Sequence, residues 1–129
     1  MLDHIGFIVT DLARSRAFYD QALAPLGIAM LMEVTPERTG GSTQLGYGSG
    51  GKPYFWIGTG SSALKGPLHV AFAAPDRKTV DAFHRAALSA GGTDNGAPGL
   101  RPHYHPNYYG AFVLSPDGHN VEAVCHKAE

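Results

Sequence analysis

The stretch LDHIGFIVTDLARSRAFY, residues 2–19, decides the fold, because its pattern returns as HVAFAAPDRKTVDAFH in residues 69–84. One constant shift along the chain superimposes the two stretches, and the same shift later places Ile57 on Glu122. The matched pairs are His4 and His69, Phe7 and Phe72, Asp11 and Asp76, Phe18 and Phe83, and Gly27 and Gly92. The chain is therefore predicted to contain two copies of one module.

The two modules are predicted at about 2–58 and about 67–125. A Gly- and Ser-rich linker, 59–66, joins them. Residues 1–129 together are the size of one ordinary domain, so we expect a single domain built from both modules.

Each module begins with a strand and continues into a helix. Apolar and small residues alternate in LDHIGFIVT and in PLHVAFAAP, which is typical of strands. Asp11 and Asp76 follow these strands as candidate helix N-caps. Three further strands are predicted in each module, which gives an α+β fold of two tandem βαβββ units. We expect their strands to form a curled, open eight-stranded sheet around a concave site, with the helices outside.

Composition excludes several classes of function. Ten basic and eleven acidic residues give a formal net charge of −1, so no basic field is available for nucleic acid. No apolar run is long enough to span a membrane. The chain has one cysteine and no visible signal peptide, and both features favour a cytoplasmic location. A small molecule is therefore the expected partner.

Strand alternation identifies a candidate metal site. Bulky residues of the first strand, such as Phe7, are predicted to face the helix, so His4 faces the concavity. His69 and Glu122 are predicted to share that face in the second module. Two imidazoles and one carboxylate form a facial triad with open coordination positions, which suits Fe(II) or Mn(II), with Zn(II) and Ni(II) as alternatives.

Two further groups of residues are candidates for the substrate site. Repeat positions predict an apolar wall made by Tyr47, Phe55, Ile57 and Phe112. The loop LRPHYHPNYYG, 100–110, supplies His105 or His103 as a general base and Tyr108 or Tyr109 to bind a substrate oxygen. The alternative is a structural loop whose aromatic residues pack across the cavity mouth or at a dimer contact.

The remaining histidines and the cysteine are given structural roles. His84, His119 and His126 are predicted to lie at the surface. Cys125 is predicted to be buried on the helix-facing side and chemically inert.

These motifs, together with SPDGHNVEAV near the end of the chain, resemble the vicinal oxygen chelate superfamily. That superfamily includes glyoxalases, bleomycin-resistance proteins, fosfomycin-resistance transferases and extradiol dioxygenases. In its metal-dependent members the ligands come from positions that correspond here to His4, His69 and Glu122. The resemblance implies a homodimer and a divalent metal that activates a small oxygen-bearing substrate.

Departures from the subfamily patterns separate the possible reactions. Ile57 occupies the place where glyoxalase-type lyases have a fourth ligand, and Gly6 the place where fosfomycin-resistance enzymes have Thr. Extradiol dioxygenases are similar in ligand set, with His105 and Glu122 fitting their signature, but Phe112 replaces its Tyr. The three-ligand set favours dioxygenase-like over lyase-like chemistry. The alternative function is a metal-free binding or sequestration protein of the bleomycin-resistance type.

Overall fold

The computed structural model describes all residues, 1–129, and contains eight strands and three helices. The elements of the first module are β1 (Ile5–Ile8), α1 (Leu12–Ala22), β2 (Ala29–Val34), α2 (Pro36–Thr39), β3 (Gln44–Ser49) and β4 (Lys52–Gly58), with one 3₁₀ turn at Ala24–Leu26. The elements of the second module are β5 (His69–Ala73), α3 (Arg77–Ser89), β6 (Thr93–Leu100), β7 (Tyr109–Leu114) and β8 (Asn120–Cys125). None of the helices has the length and apolar character needed to cross a membrane.

Each module forms its own four-stranded mixed sheet. Sheet A has the strand order β1-β4-β3-β2, and sheet B has the order β5-β8-β7-β6. In both sheets the first and last strands of the module pair in parallel, and the other neighbours pair antiparallel. The predicted α+β fold of two tandem modules is confirmed. The eight strands divide into two sheets that share no strand pairing.

The helix starts follow the predicted capping pattern. Asp11 accepts a hydrogen bond from the backbone N–H of Arg14 at 3.1 Å. Asp76 accepts one from the backbone N–H of Thr79 at 2.7 Å. Each carboxylate satisfies a donor that the first helical turn leaves free, so both repeats begin their helices at the same relative position.

The helix-facing sides of the two sheets share one core. Helices α1 and α3 contact each other, and twenty buried residues from both modules form one apolar cluster. The two modules pack tightly at Gly92 of module two. A Cβ there would lie 2.7 Å from the ring of Phe18 in α1 and 2.4 Å from Val113. The helices therefore lie between the sheets and not outside them, and each sheet turns its other side, its open face, away from this core.

The linker is held by hydrogen bonds to both modules. The backbone N–H of Leu64 donates to the Ile8 carbonyl at 2.9 Å, and the Leu64 carbonyl lies 2.5 Å from Nε2 of His119. The His119 ring also meets Phe7 edge to face, with centroids 4.9 Å apart. His119 is 1% exposed, so the prediction that it lies at the surface is wrong. A hairpin-turn residue is buried here because the linker folds over it.

The match between the two modules shifts by one residue before the third strand of each. Gly6 lies opposite Trp56 in β1 and β4, whereas its repeat partner Ala71 lies opposite Glu122 in β5 and β8. Trp56, and not Ile57, therefore stands at the position that corresponds to Glu122. Module two has one additional residue before β7, and the constant shift used for the sequence match does not detect it.

Candidate functional site

Glu122 is the centre of the polar cluster on the open face of sheet B. Its side chain is 0% exposed, although it belongs to a charged residue type that is rarely buried unpaired. Nε2 of His69 lies 2.8 Å from its Oε1 atom, and the hydroxyl of Tyr108 donates to its Oε2 atom. Both carboxylate oxygens are thus engaged, which is what a buried carboxylate requires.

Strand pairing explains why His69 and Glu122 meet. β5 and β8 are parallel neighbours, and Ala71 is opposite Glu122, so His69 lies on the same face one alternation away. The imidazole of His69 remains half-exposed, which leaves it open to a ligand from solvent. The cluster therefore has a buried anionic floor and an accessible imidazole.

Tyr108 covers Glu122 from the loop before β7. Burial, followed by the hydrogen bond to Glu122, raises the pKa of the Tyr108 hydroxyl above its ordinary value. The phenol consequently stays protonated at neutral pH and acts as a hydrogen-bond donor to the carboxylate. Gly110 leaves room for this contact, because a Cβ there would lie 3.1 Å from Oε2 of Glu122 and 3.1 Å from the Tyr108 ring.

The other two catalytic candidates of this loop do not reach Glu122. His103 is exposed and packs against the ring of Tyr104, with centroids 4.2 Å apart. His105 is exposed, and its Nδ1 atom accepts a hydrogen bond from the backbone N–H of Asn107 at 3.1 Å. In this conformation the His105 lone pair is occupied, so the neutral ring carries its proton on Nε2.

His4 lies on the open face of sheet A. Its Nδ1 atom is 2.7 Å from Oδ1 of Asp3, which also accepts from Nζ of Lys52 at 3.1 Å. The hydrogen bond with His4, supported by Lys52, lowers the pKa of the exposed Asp3 carboxyl below its ordinary value. Because the Asp3 carboxylate accepts a hydrogen bond from Nδ1–H, Nε2 of a neutral His4 keeps its lone pair free.

The three predicted ligands do not converge within one chain. No group of three His, Cys, Asp or Glu side chains in the structure is arranged to hold a metal ion. His69 and Glu122 meet on sheet B, and His4 stands on sheet A beside a cavity of about 780 Å³. One chain thus brings together two members of the triad and presents the third separately.

Among the four predicted wall residues, Phe112 alone lies on an open face. Its ring is 6.2 Å from the His69 ring, and the guanidinium of Arg101 lies over it at 5.4 Å. Arg101 was not anticipated from the sequence, because nothing in its local pattern distinguishes it from a solvated loop residue.

The prediction that Tyr47, Phe55 and Ile57 face the concavity is wrong. All three are at most 1% exposed and belong to the core shared with the helices. The Tyr47 hydroxyl donates to Asp20 of α1 at 2.9 Å, and the Phe55 ring packs edge to face on Tyr19 of the same helix. The cause is the one-residue shift, since a slip of one residue moves every side chain of a strand to the opposite face.

Trp56 of β4 faces the cavity, whereas its neighbours Phe55 and Ile57 face the core. It lines the cavity together with His4 and Gly6. The sequence contained a usable signal, because two large apolar residues flank Trp56 in the strand and such a pair is typical of the helix-facing side. Cys125, by contrast, is buried as predicted.

Comparisons with known proteins agree with this architecture. The family model described as the Glyoxalase/Bleomycin resistance protein/Dioxygenase superfamily matches residues 1–123. A glyoxalase/bleomycin resistance protein from Albidiferax ferrireducens T118 is 30% identical, with a TM-score of 0.71, and the match covers 97% of this chain and 98% of that one. No curated protein matches the chain significantly in sequence.

More distant structures share the fold. Glyoxalase I from Zea mays is 22% identical with a TM-score of 0.71, and the match covers 99% of this chain but 45% of the maize chain. The chain thus spans about half the length of the maize enzyme. A single-residue mutant of the fosfomycin resistance protein FosX from Listeria monocytogenes, in complex with Mn(II) and 1S,2S-dihydroxypropylphosphonic acid, is 18% identical. Its TM-score is 0.68, and the match covers 96% of this chain and 88% of FosX.

Proposed function

Because the chain belongs to the Glyoxalase/Bleomycin resistance protein/Dioxygenase superfamily, we propose that it is a divalent-metal-dependent enzyme of the vicinal oxygen chelate type. Its substrate is a small molecule with two neighbouring oxygens, and the reaction is dioxygenase-like in preference to lyase-like. The observation that carries the proposal is the buried carboxylate of Glu122, with Nε2 of His69 2.8 Å from one oxygen.

The donor set fits a divalent cation. His69 and Glu122 present a nitrogen and an oxygen to one point, and the pairing of His4 with Asp3 leaves Nε2 of His4 free to bind. The Asp3 carboxylate behind His4 is the kind of outer-sphere partner that metal-binding histidines usually have. Two imidazoles and one carboxylate suit Fe(II) or Mn(II), with Zn(II) and Ni(II) as alternatives.

A homodimer supplies the third ligand. His4 and the pair of His69 and Glu122 stand on different sheets, and β1 and β5 are both edge strands whose outer sides lack a partner. A two-fold axis that sets β1 of one protomer beside β5 of its partner makes two identical sites. Each site then contains His4 of one protomer with His69 and Glu122 of the other.

The residues of the chain have separate tasks in this mechanism. A metal bound there supplies Lewis-acid stabilisation of negative charge on the substrate oxygens. Tyr108 fixes Glu122 by donating to Oε2, and Phe112 with Arg101 closes the side of the site next to His69. His103 and His105 are the loop histidines to which we assign proton transfer, because both are exposed on the loop that carries Tyr108. The buried thiol of Cys125 fits a reducing cytoplasm, where we place the protein.

Metal titration tests this function. Calorimetry with Zn(II) on tag-free protein is expected to give one ion per protomer. Glu122→Gln keeps the shape of the side chain but removes the anionic ligand. Its metal affinity is expected to fall by more than the roughly 10–100-fold that loss of an outer-sphere partner causes. Protein that binds no divalent metal at neutral pH refutes the proposal.

A metal-free binding protein of the bleomycin-resistance type is the second candidate. One observation favours it: His69 and Tyr108 already satisfy both oxygens of Glu122 within the chain. If this function is the correct one, Glu122→Gln leaves ligand affinity nearly unchanged, and the protein copurifies with no metal.

A further inference from the structure

The open face of sheet A carries a flat aromatic surface that no assigned role explains. Trp56 reaches from β4 across β3, where Gly46 lies opposite it in the strand register. A Cβ on Gly46 would lie 2.8 Å from both Cη2 and Cζ2 of the indole. The indole therefore lies flat on the sheet in the space that the glycine leaves, and the neighbouring strand β2 continues this surface with Met32.

Trp56 occupies a position that corresponds to a proposed metal ligand in the other module. Trp56 corresponds to Glu122, because Gly6 and Ala71 are their matched partners in the parallel strand pairs. Where a second carboxylate would complete a symmetric set of ligands, the chain has a side chain without an oxygen donor. The fourth corner of the site is thus a π surface.

The surroundings of Trp56 define the class of ligand. Val34 and Met32 are apolar neighbours in the cavity of about 780 Å³, and its polar groups are the Gln44 amide and the Lys52 ammonium, which is paired with Asp3 at 3.1 Å. An aromatic ring stacks on an indole face in an offset geometry, whereas a saturated ring is puckered, has no π system and gains less from the same face. An anionic oxygen on the ligand suits the divalent cation of the proposed site, since Asp3 already balances the charge of Lys52.

We propose that Trp56 is a specificity-determining residue, which selects flat, conjugated ligands with acidic oxygens over saturated ligands of equal size and charge. This inference rests on the proposed function, since it places Trp56 beside the metal-binding residues. Gly46 is part of the same device, because any larger residue there displaces the indole.

The chain offers a direct probe, because Trp56 is its one tryptophan. The indole N–H therefore gives a single ¹H–¹⁵N signal. The matched ligands are 2-hydroxybenzoate and 2-hydroxycyclohexanecarboxylate, which share a carboxylate and a neighbouring hydroxyl and differ in the flat ring. The phenol is the more acidic hydroxyl, and the metal-free titration removes its effect on metal binding. The titration uses protein loaded with Zn(II), a diamagnetic ion, and is repeated on metal-free protein.

The expected result is a ring-current shift of the indole signal with 2-hydroxybenzoate and none with the saturated acid. Trp56→Leu is expected to weaken binding of 2-hydroxybenzoate by about 3–10-fold, the range that one aromatic pair contributes. Binding of the saturated acid should not change, and Trp56→Phe should retain part of the preference. Leu88→Ala is the control, since it shortens an exposed apolar side chain of α3 that lines neither this cavity nor the second cavity beside His4.

Equal affinity for the two acids in the wild type overturns the inference, and so does an indole signal that neither acid moves. Failure of the proposed function is recognised separately. If the protein takes up no Zn(II) but the metal-free titration still shows the planar preference, the metal site is rejected and the role of Trp56 stands. If Zn(II) binds and the preference is absent, the metal site stands and the role of Trp56 is rejected.

Discussion

The two modules share one plan, but their open faces carry different chemistry. Across module one, a row of neighbouring strands presents Trp56, Gly46 and Met32. Across module two, the corresponding row presents Glu122, Phe112 and Gly96. The first row is an aromatic and thioether surface, and the second is a carboxylate beside an aromatic ring. The two modules thus share one backbone plan, and the row that is apolar in module one contains a carboxylate in module two.

Glycine occupies a different strand in each row, and this difference sets where the large side chain can lie. In module one the glycine is on β3, so the Trp56 indole extends over it. In module two it is on β6, where a Cβ at Gly96 would lie 2.9 Å from Cδ1 of Phe112. The small residue in each sheet therefore stands beneath an aromatic ring that its neighbour supplies.

The largest expected effect comes from removing the proposed ligand of module one in one variant and that of module two in another. His4→Ala and Glu122→Gln are each expected to abolish tight Zn(II) binding. Mixing the two unfolded proteins and refolding them together gives mixed dimers, each with one intact site, so about a quarter of the sites should return. Calorimetry of the mixture measures the recovered stoichiometry. No recovery, with both variants folded, places all ligands in one chain and contradicts the shared site.

Tyr108→Phe should have the next largest effect. It removes the hydrogen bond to Oε2 of Glu122 and leaves a buried carboxylate oxygen without a donor. Metal affinity is expected to fall by roughly 10–100-fold, as it does for loss of an outer-sphere partner. Tyr104→Phe serves as the control, because that exposed tyrosine belongs to the same loop and its hydroxyl makes no hydrogen bond. Similar losses in both variants would show that the loop acts through its fold alone.

Gly46→Ala tests the glycine floor of module one. The added methyl group overlaps the indole of Trp56, and overpacking of this kind costs about 1–3 kcal/mol of unfolding free energy. Chemical denaturation measures the loss. Gly99→Ala, where the nearest atom to the new Cβ is a flexible guanidinium nitrogen at 3.2 Å, is expected to be milder. An unchanged indole signal in Gly46→Ala would contradict the arrangement.

A smaller effect should appear at alkaline pH, and the two buried tyrosines of module one should contribute to it. Burial raises the pKa of both Tyr19 and Tyr47, and the matching positions in module two hold His84 and Val113, neither of which is a phenol. Their protonated phenols contribute stability that is fully present below the ordinary tyrosine pKa of about 10 and is lost as pH rises beyond it. Thermal melting between pH 8 and 11 should show the decline. Tyr47→Phe should make it shallower, and an unchanged slope would assign the loss to other groups.

Sequence patterns predicted those features that depend on local periodicity. Asp11 and Asp76 cap their helices as expected, and His69 and Glu122 share a face because alternation along β5 and β8 is unbroken. Features that depend on a count across irregular segments were predicted wrongly. Because the constant shift ignores the extra residue before β7, it assigned Phe55 and Ile57 to the wrong face of the sheet.

Long-range packing was also beyond the sequence patterns. Nothing near His119 indicates that residue 64 would fold over it, since the contact joins parts of the chain far apart. The placement of the helices between the sheets likewise depends on Phe18 fitting against Gly92 of the other module. Such contacts follow from shape in three dimensions, and a periodic pattern carries no information about them.

The hydrogen-bonded linker has a consequence for how the molecule comes apart. Leu64 is tied to Ile8 in one module and to His119 in the other, and the two modules bury one common apolar cluster. Neither repeat can lose its structure without exposing the apolar surface of the other. We therefore expect melting to be one cooperative event in which neither half of the duplicated chain persists as an independent folding unit.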